Sequence, residues 1–144
     1  MGFIDVASNS SLWRGIDYYN DKKVISWEST GENTYSGLVE GSGDNRYQVH
    51  IDTVHPRSST CTCTFARGRK VVCKHMIALY FTADPSEYDS FMKQVEQWEE
   101  EEEQEYKEHI RDLEKYVKSL SKTQLQERLL DLLISMEEQD HYRW

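Results

Sequence analysis

The sequence predicts an α+β protein: a small antiparallel β-meander with a CxCxnCxH zinc knuckle leading into a helix, followed by a C-terminal helical segment. Three observations predict it. Short runs of strand character separated by Gly/Asn/Ser turns fill residues 23–52, the cluster CTC…CKH follows at residues 61–75, and helical apolar spacing dominates beyond residue 85.

The elements follow in order. Ser10 or Ser11 caps a short helix over LWRGIDYY, which Gly15 weakens. KVISWE (Lys23 to Glu28), YSGLVE (Tyr35 to Glu40) and RYQVHID (Arg46 to Asp52) are three strands, and their short Gly/Asn-bearing connections make a meander. In the third, Tyr47, Val49 and Ile51 alternate against Gln48, His50 and Asp52, the pattern of a half-buried strand. CTCT is a fourth extended piece, so the sheet has three or four strands. CKHMIALYFTA is a helix that stops before Asp84-Pro85, because the residue preceding a proline is pushed out of the helical region. Asp84 as N-cap, Pro85 in the first turn and Glu87 behind it start the next helix.

In that helix Tyr88, Phe91, Met92, Val95 and Trp98 form one apolar stripe. The glutamate run from Glu99 to Glu105 interrupts it and is expected to be solvated or loosely helical. The stripe resumes with Tyr106, Ile110, Leu113, Val117 and Leu120 and ends at a capping box, Ser121 to Gln124, with Leu120 and Leu125 spaced as a hydrophobic staple. The last helix puts Leu125, Leu129, Leu132, Leu133 and Met136 on a broad face. These stripes are expected to pack on each other or on the sheet. If they exceed what the sheet can cover, homodimerisation through the helical arm or docking to a larger protein follows.

Charge divides the chain in two. Residues 1–85 hold nine basic and nine acidic residues, whereas residues 86–144 hold eight basic and seventeen acidic and so carry the whole net charge of -9. With the cluster, this places a zinc-binding β-rich domain at 1–84 and an acidic helical arm of two or three helices at 85–144. Between Thr53 and Ala83 no acidic residue occurs, while Arg57, Arg67, Arg69, Lys70 and Lys74 all do. No apolar window is long enough to span a membrane. The N-terminal residues MGFIDVASNSSLWRG lack a basic region and apolar core, so the expected location is cytoplasmic.

Cys61, Cys63 and Cys73 are the only cysteines. An odd number within thirteen positions suits ligands better than disulfides, and a Cys61–Cys63 bridge would close a small strained ring. Two residues two apart on a strand share a face roughly 6–7 Å apart, so Cys61 and Cys63 can reach one ion. Cys73 before a helix and His75 in its first turn can reach the same ion, and the nine residues between the pairs are enough for a hairpin. Three thiolates and an imidazole suit one structural Zn²⁺, held tetrahedrally with no position left for water. Such an ion contributes on the order of 10 kcal/mol to folding in small fingers. The competing reading, a buried corner formed by chance, explains the mirror-paired spacing poorly.

The CxCx₉CxH spacing of Cys61, Cys63, Cys73 and His75, the strand RYQVHI before it and the Met76-Ile77-Ala78-Leu79 helix behind it resemble the SWIM zinc finger. With RGIDYYNDKKV upstream, the chain looks like the small stand-alone bacterial SWIM-finger proteins. Family fingers occur in Swi/Snf-type ATPases, Mu-type transposases and recombination-associated proteins. The resemblance implies zinc binding with DNA or protein contact, and it brings no catalytic residue.

His50, on the polar side of its strand, and His55, before Pro56, read as surface residues, and His109 and His141 have no partner spacing. No nucleophile with a base and no phosphate loop is found. The leading expectation is therefore a non-enzymatic zinc-finger adaptor, in which the metal orders a recognition surface for a protein partner within a DNA-processing complex. The alternative is direct DNA or RNA binding through the basic turn between the ligands, with Phe65, Arg67, Arg69, Lys70 and Lys74 as contact residues.

Overall fold

The computed structural model of the protein describes residues 2–142; the outermost residues of both expected domains lie outside them. The chain divides into two compact units, Met1–Lys93 and Gln94–Trp144.

In the first unit, a 3-10 turn (Phe3–Val6) precedes α1 (Asn9–Asn20). The helix is capped by Ser8, not by Ser10 or Ser11: the Ser8 hydroxyl accepts from the Ser11 N–H at 3.1 Å. An extra turn thereby forms from Asn9-Ser10-Ser11, since a cap satisfies only donors that follow it.

The strands β1 (Val24–Ser29), β2 (Thr34–Glu40), β3 (Arg46–Asp52) and β4 (Thr60–Cys61) make one antiparallel sheet in the order β1-β2-β3-β4. CTCT thus contributes a two-residue strand that turns away after Cys61. The expected alternation holds in β3, where Val49 and Ile51 are buried. Beyond β3, the Asp52 carboxylate accepts from the N–H groups of Val54 and His55. The Asp52 N–H donates to the hydroxyl of buried Ser59 at 3.0 Å, which ties the loop shut and returns the chain alongside β3.

Helix α2 (Lys74–Ala83) is apolar nearly all round, and Met76, Ile77, Ala78, Leu79 and Phe81 are fully buried. A helix with no polar face needs cover on every side. It receives that cover from β2 and β3 on one flank and α1 on the other. Two glycines permit the close approach. A Cβ at Gly37 would lie 2.9 Å from Leu79 Cδ1, and one at Gly15 would lie 2.4 Å from both Cβ and Cγ2 of Ile77.

Gly15 therefore brings α1 onto α2, which is why it stands in a helix despite its poor propensity. Gly15→Ala gains helix propensity of about 1 kcal/mol but overpacks a branched side chain held by its own helix. The net expected change is a loss of about 1–2 kcal/mol, readable as a lower thermal midpoint. In an Ile77→Ala background, where the contact is gone, Gly15→Ala should no longer lower the midpoint; a loss of the same size there would mean that the contact is not the cause.

The start of α3 (Pro85–Ser119) completes the core. Tyr88 and Phe91 join Tyr19, Phe81 and Trp13 in a cluster of rings with centroids 4.6–6.3 Å apart.

In the second unit, α3 runs unbroken through Glu99–Glu105. The glutamates are solvated but fully helical, because glutamate is a good helix former when exposed. The capping box at Ser121 and Gln124 forms as expected and starts α4 (Lys122–His141). The two apolar stripes depart from expectation: Leu113, Val117, Leu129, Leu132 and Met136 are exposed, so α3 and α4 do not bury these faces against each other. Two residues, Leu120 and Ser121, separate the helices, and the end of one and the cap of the next are satisfied locally, so nothing obliges a hairpin. Among the described residues no helix is long and apolar enough to cross a membrane.

Candidate metal centre

Each of the four predicted ligands is placed by a different local device. Cys61 sits in β4 opposite Val49, so its side chain points to the covered face of the sheet. The Gln48 N–H donates to Thr62 Oγ1, and the Thr62 N–H to the Gln48 carbonyl, which carries the pairing one residue further. Cys63 opens the turn: its sulfur accepts from the Ala66 N–H at 3.4 Å, and its carbonyl from the Arg67 N–H at 2.9 Å. Gly68 then supplies the left-handed residue (φ 72°) that turns the loop back. Cys73 is the N-cap of α2, extended at φ -92°, ψ 171°, and His75 lies in the first helical turn.

The four donor atoms lie within 4.8 Å of one another, and all four residues are buried. His75 Nδ1 is 3.7 Å from Cys61 Sγ and 3.8 Å from Cys73 Sγ. With Zn–S of about 2.3 Å and Zn–N of about 2.0–2.1 Å, a tetrahedral site has S···N edges of about 3.6 Å. The spacing therefore fits one zinc ion. The electrostatics fit as well. The Cys73 thiolate accepts from the Cys61 thiol, His75 and the Met76 N–H, which pushes Cys73 down to about 4. The same bond to Cys73, followed by burial, drives Cys61 well above the usual thiol range, and burial raises Cys63. Three thiolates cannot share this volume without a compensating cation, and a dication held by all three with His75 removes that conflict.

The imidazole is oriented by packing. Its ring stands between Tyr47 (centroids 4.5 Å apart) and Tyr18 (5.4 Å, near perpendicular). The other nitrogen, Nε2, is buried without a hydrogen-bond partner among the described residues. Metal-bound histidines commonly fix their second nitrogen through a carboxylate or carbonyl; here two tyrosine rings hold the plane instead. When bound, the ion would link β4, the knuckle turn and the start of α2, a cross-link in place of the disulfides that the three free cysteines do not form.

The five predicted contact residues separate into two groups. Arg67, Arg69 and Lys70 line a groove of about 1300 Å³ over the open face of the sheet. Lys74 and Phe65 instead line a smaller cleft, about 440 Å³, beside Tyr18 and Tyr47. Lys74 Nζ stands 4.9 Å from the Tyr18 ring centre. The turn is braced internally, with Arg69 Nη1 donating to the Phe65 carbonyl at 3.2 Å and the guanidinium over the Phe65 ring.

The groove also takes in Arg57 on the wall, and Glu28, Leu38, Gln48 and His50 on the open face of the sheet, while the register turns the Trp27 side chain to the covered face beside Tyr35. His50 is fixed there by Ser36 Oγ, 2.8 Å from its Nδ1. Arg57 was legible only as part of the acid-free segment. The place of His50 in the groove was not legible, because it depends on strand register. Among the described residues no carboxylate pairs with Arg57, Arg67, Arg69 or Lys70.

Among known proteins, the model of the SWIM zinc finger family matches residues 47–84. No curated protein and no solved structure matches the chain. The matched segment holds all four ligands together with β3, β4 and α2, the elements that position them. Residues 47–84 are thus a zinc-binding SWIM finger domain built round a buried Cys3His cluster.

Proposed function

We propose that the protein is a non-enzymatic recognition module, in which zinc holds a basic groove open for a single strand of DNA or RNA. The observation that carries this reading is the row of four cations, Arg57, Arg67, Arg69 and Lys70, which pair with no carboxylate among the described residues, along a groove floored by Leu38, Gln48 and His50 with Glu28 as the acidic residue of its lining. Cations that track a phosphate backbone and a flat ring that stacks on a base are the two parts a single-stranded site needs, and the His50 ring, held by Ser36, stands on the open face beside the cations. The acidic arm opposes approach at long range. Salt screens that field within roughly 8–10 Å, so the groove acts at contact. Four protein ligands fill the tetrahedral zinc shell, which supports a role in architecture and not in hydrolysis.

The test is the affinity of the zinc-loaded chain for a labelled single-stranded oligonucleotide across a salt series. Four cations on a single strand give an expected slope of roughly -3 in log K against log salt. Replacing Arg67, Arg69 and Lys70 by glutamine lowers it to about -1, and His50→Ala weakens binding by about 1–3 kcal/mol at any salt. Absence of binding at low salt, or binding indifferent to these changes, refutes the proposal. That result would favour a second reading, an adaptor for a protein partner, which is supported by the apolar surface of the arm.

A further inference from the structure

The arm leaves its apolar side chains uncovered in a regular pattern. On α3, Tyr106, Ile110, Leu113 and Val117 follow one another at spacings of four, three and four; on α4, Leu125, Leu129, Leu132 and Met136 repeat the same spacing. Each of these eight is 36–65% exposed. Spacing of this kind marks the a and d positions of a heptad, a seam that expects the seam of another helix. At about half exposure the eight side chains present on the order of 700 Å² of apolar surface in two strips, one on each helix, both of which a second copy must cover. The largest apolar patch on a typical monomer is about 300–600 Å², whereas one side of a stable interface is about 800 Å².

We propose that a second copy of this chain covers the seam, with its α3 antiparallel. Two features of the sequence point to a copy of the same chain. Both helices carry the same seam, so the surface is self-complementary, as a two-fold interface requires. The flanking charges of α3 are also complementary end to end. Glu99–Glu103 and Glu105 contribute six carboxylates and no cation, while Arg111, Lys115 and Lys118 follow further along the helix, interleaved with Asp112 and Glu114. A parallel pair in register would set six carboxylates against six. An antiparallel pair with the two seams in register, centred between Arg111 and Asp112, sets Lys118 against Glu105, Lys115 against Glu108 and Arg111 against Asp112 of the second copy. Among the described residues, Lys107 engages Glu103 within the helix at 2.9 Å. This inference does not rest on the nucleic-acid reading and fails independently of it.

Sedimentation equilibrium of the full zinc-loaded chain over a concentration series tests the association. The expected result is a dimer mass whose dissociation constant rises at least tenfold in the Leu113→Gln, Leu129→Gln double variant, with zinc content unchanged. Carbodiimide coupling of a mixture of ¹⁴N- and ¹⁵N-labelled chains reads the direction. Antiparallel pairing joins the Glu105 or Glu108 peptide of one label to the Lys118 or Lys115 peptide of the other, and the dimer weakens as salt rises. A monomer at every concentration, or a dimer indifferent to the double variant, overturns the proposal. A dimer that tightens with salt and yields no mixed-label peptide overturns its direction.

Discussion

Cys73→Ser is expected to abolish stoichiometric zinc and to unfold the zinc-binding unit. Cys73 Sγ is placed between Cys61 and His75 Nδ1, and the same residue is the N-cap of α2, so its loss acts on the metal and on the helix that forms the centre of the core. A structural zinc contributes on the order of 10 kcal/mol in small fingers, comparable to the whole stability of an ordinary domain. The serine hydroxyl can still cap α2, which separates the two effects: the failure is assigned to the metal. Metal analysis of the purified variant is expected to give well below one equivalent. Hydrogen exchange in β3 and α2 is expected to lose its protection, while exchange in α4 changes little. A variant that kept one tightly bound zinc with native protection would exclude Cys73 as a ligand. Chelation of the wild-type chain at neutral pH should reproduce the same pattern, because ligands held together by the ion lose their compensating charge when it leaves.

Phe81→Ala is the second large effect, at about 3–5 kcal/mol. Phe81 is fully buried, and its ring meets Tyr19, Tyr80, Tyr88 and Phe91 at centroid distances of 5.4–6.3 Å. Truncation removes the shared partner of that cluster and leaves a cavity between α1, α2 and the start of α3. These helices are bound to other elements and cannot all close in on it. The thermal midpoint of the zinc-loaded protein should fall by roughly 15 °C or more. Ile25→Ala serves as the control, since Ile25 is 45% exposed on the edge strand β1 and its truncation should change stability by no more than about 0.5 kcal/mol. Equal effects from the two would mean that the ring cluster does not carry the core.

The zinc ligands were legible because ligand chemistry admits few residue types and the spacing 61, 63, 73, 75 works in only a few local conformations. The α2 helix was legible from its start at CKH and its stop at Asp84-Pro85. The cap of α1 was misplaced by two or three residues because Ser8, Ser10 and Ser11 are equivalent in propensity. Which one caps depends on where the chain arrives, not on the residue itself. Gly15 read as a weakness in α1 until Ile77 appeared opposite it. The basic turn was legible as a charge pattern, but its division between two clefts was not, because the loop geometry that turns Arg67, Arg69 and Lys70 one way and Lys74 the other is set by Cys63, Gly68 and the helix start. The stripe that begins at Tyr88 packs as read, through Phe91 and Val95, whereas the stripes beyond the glutamate run were read correctly as stripes and wrongly as packed. Periodicity reports that a face needs cover, and it does not report what supplies it.

The sequence by itself determined the α+β class, the four metal ligands, the long helices and the charge division, because each of these is fixed by local chemistry or by periodicity along the chain. Only the tertiary structure decided that His50 and Arg57 share a groove with the zinc-held turn, that two tyrosines hold the His75 ring, and that the seams of α3 and α4 stay exposed. Those are facts of juxtaposition: they depend on strand register and on which faces meet, and residues far apart in the chain settle them together.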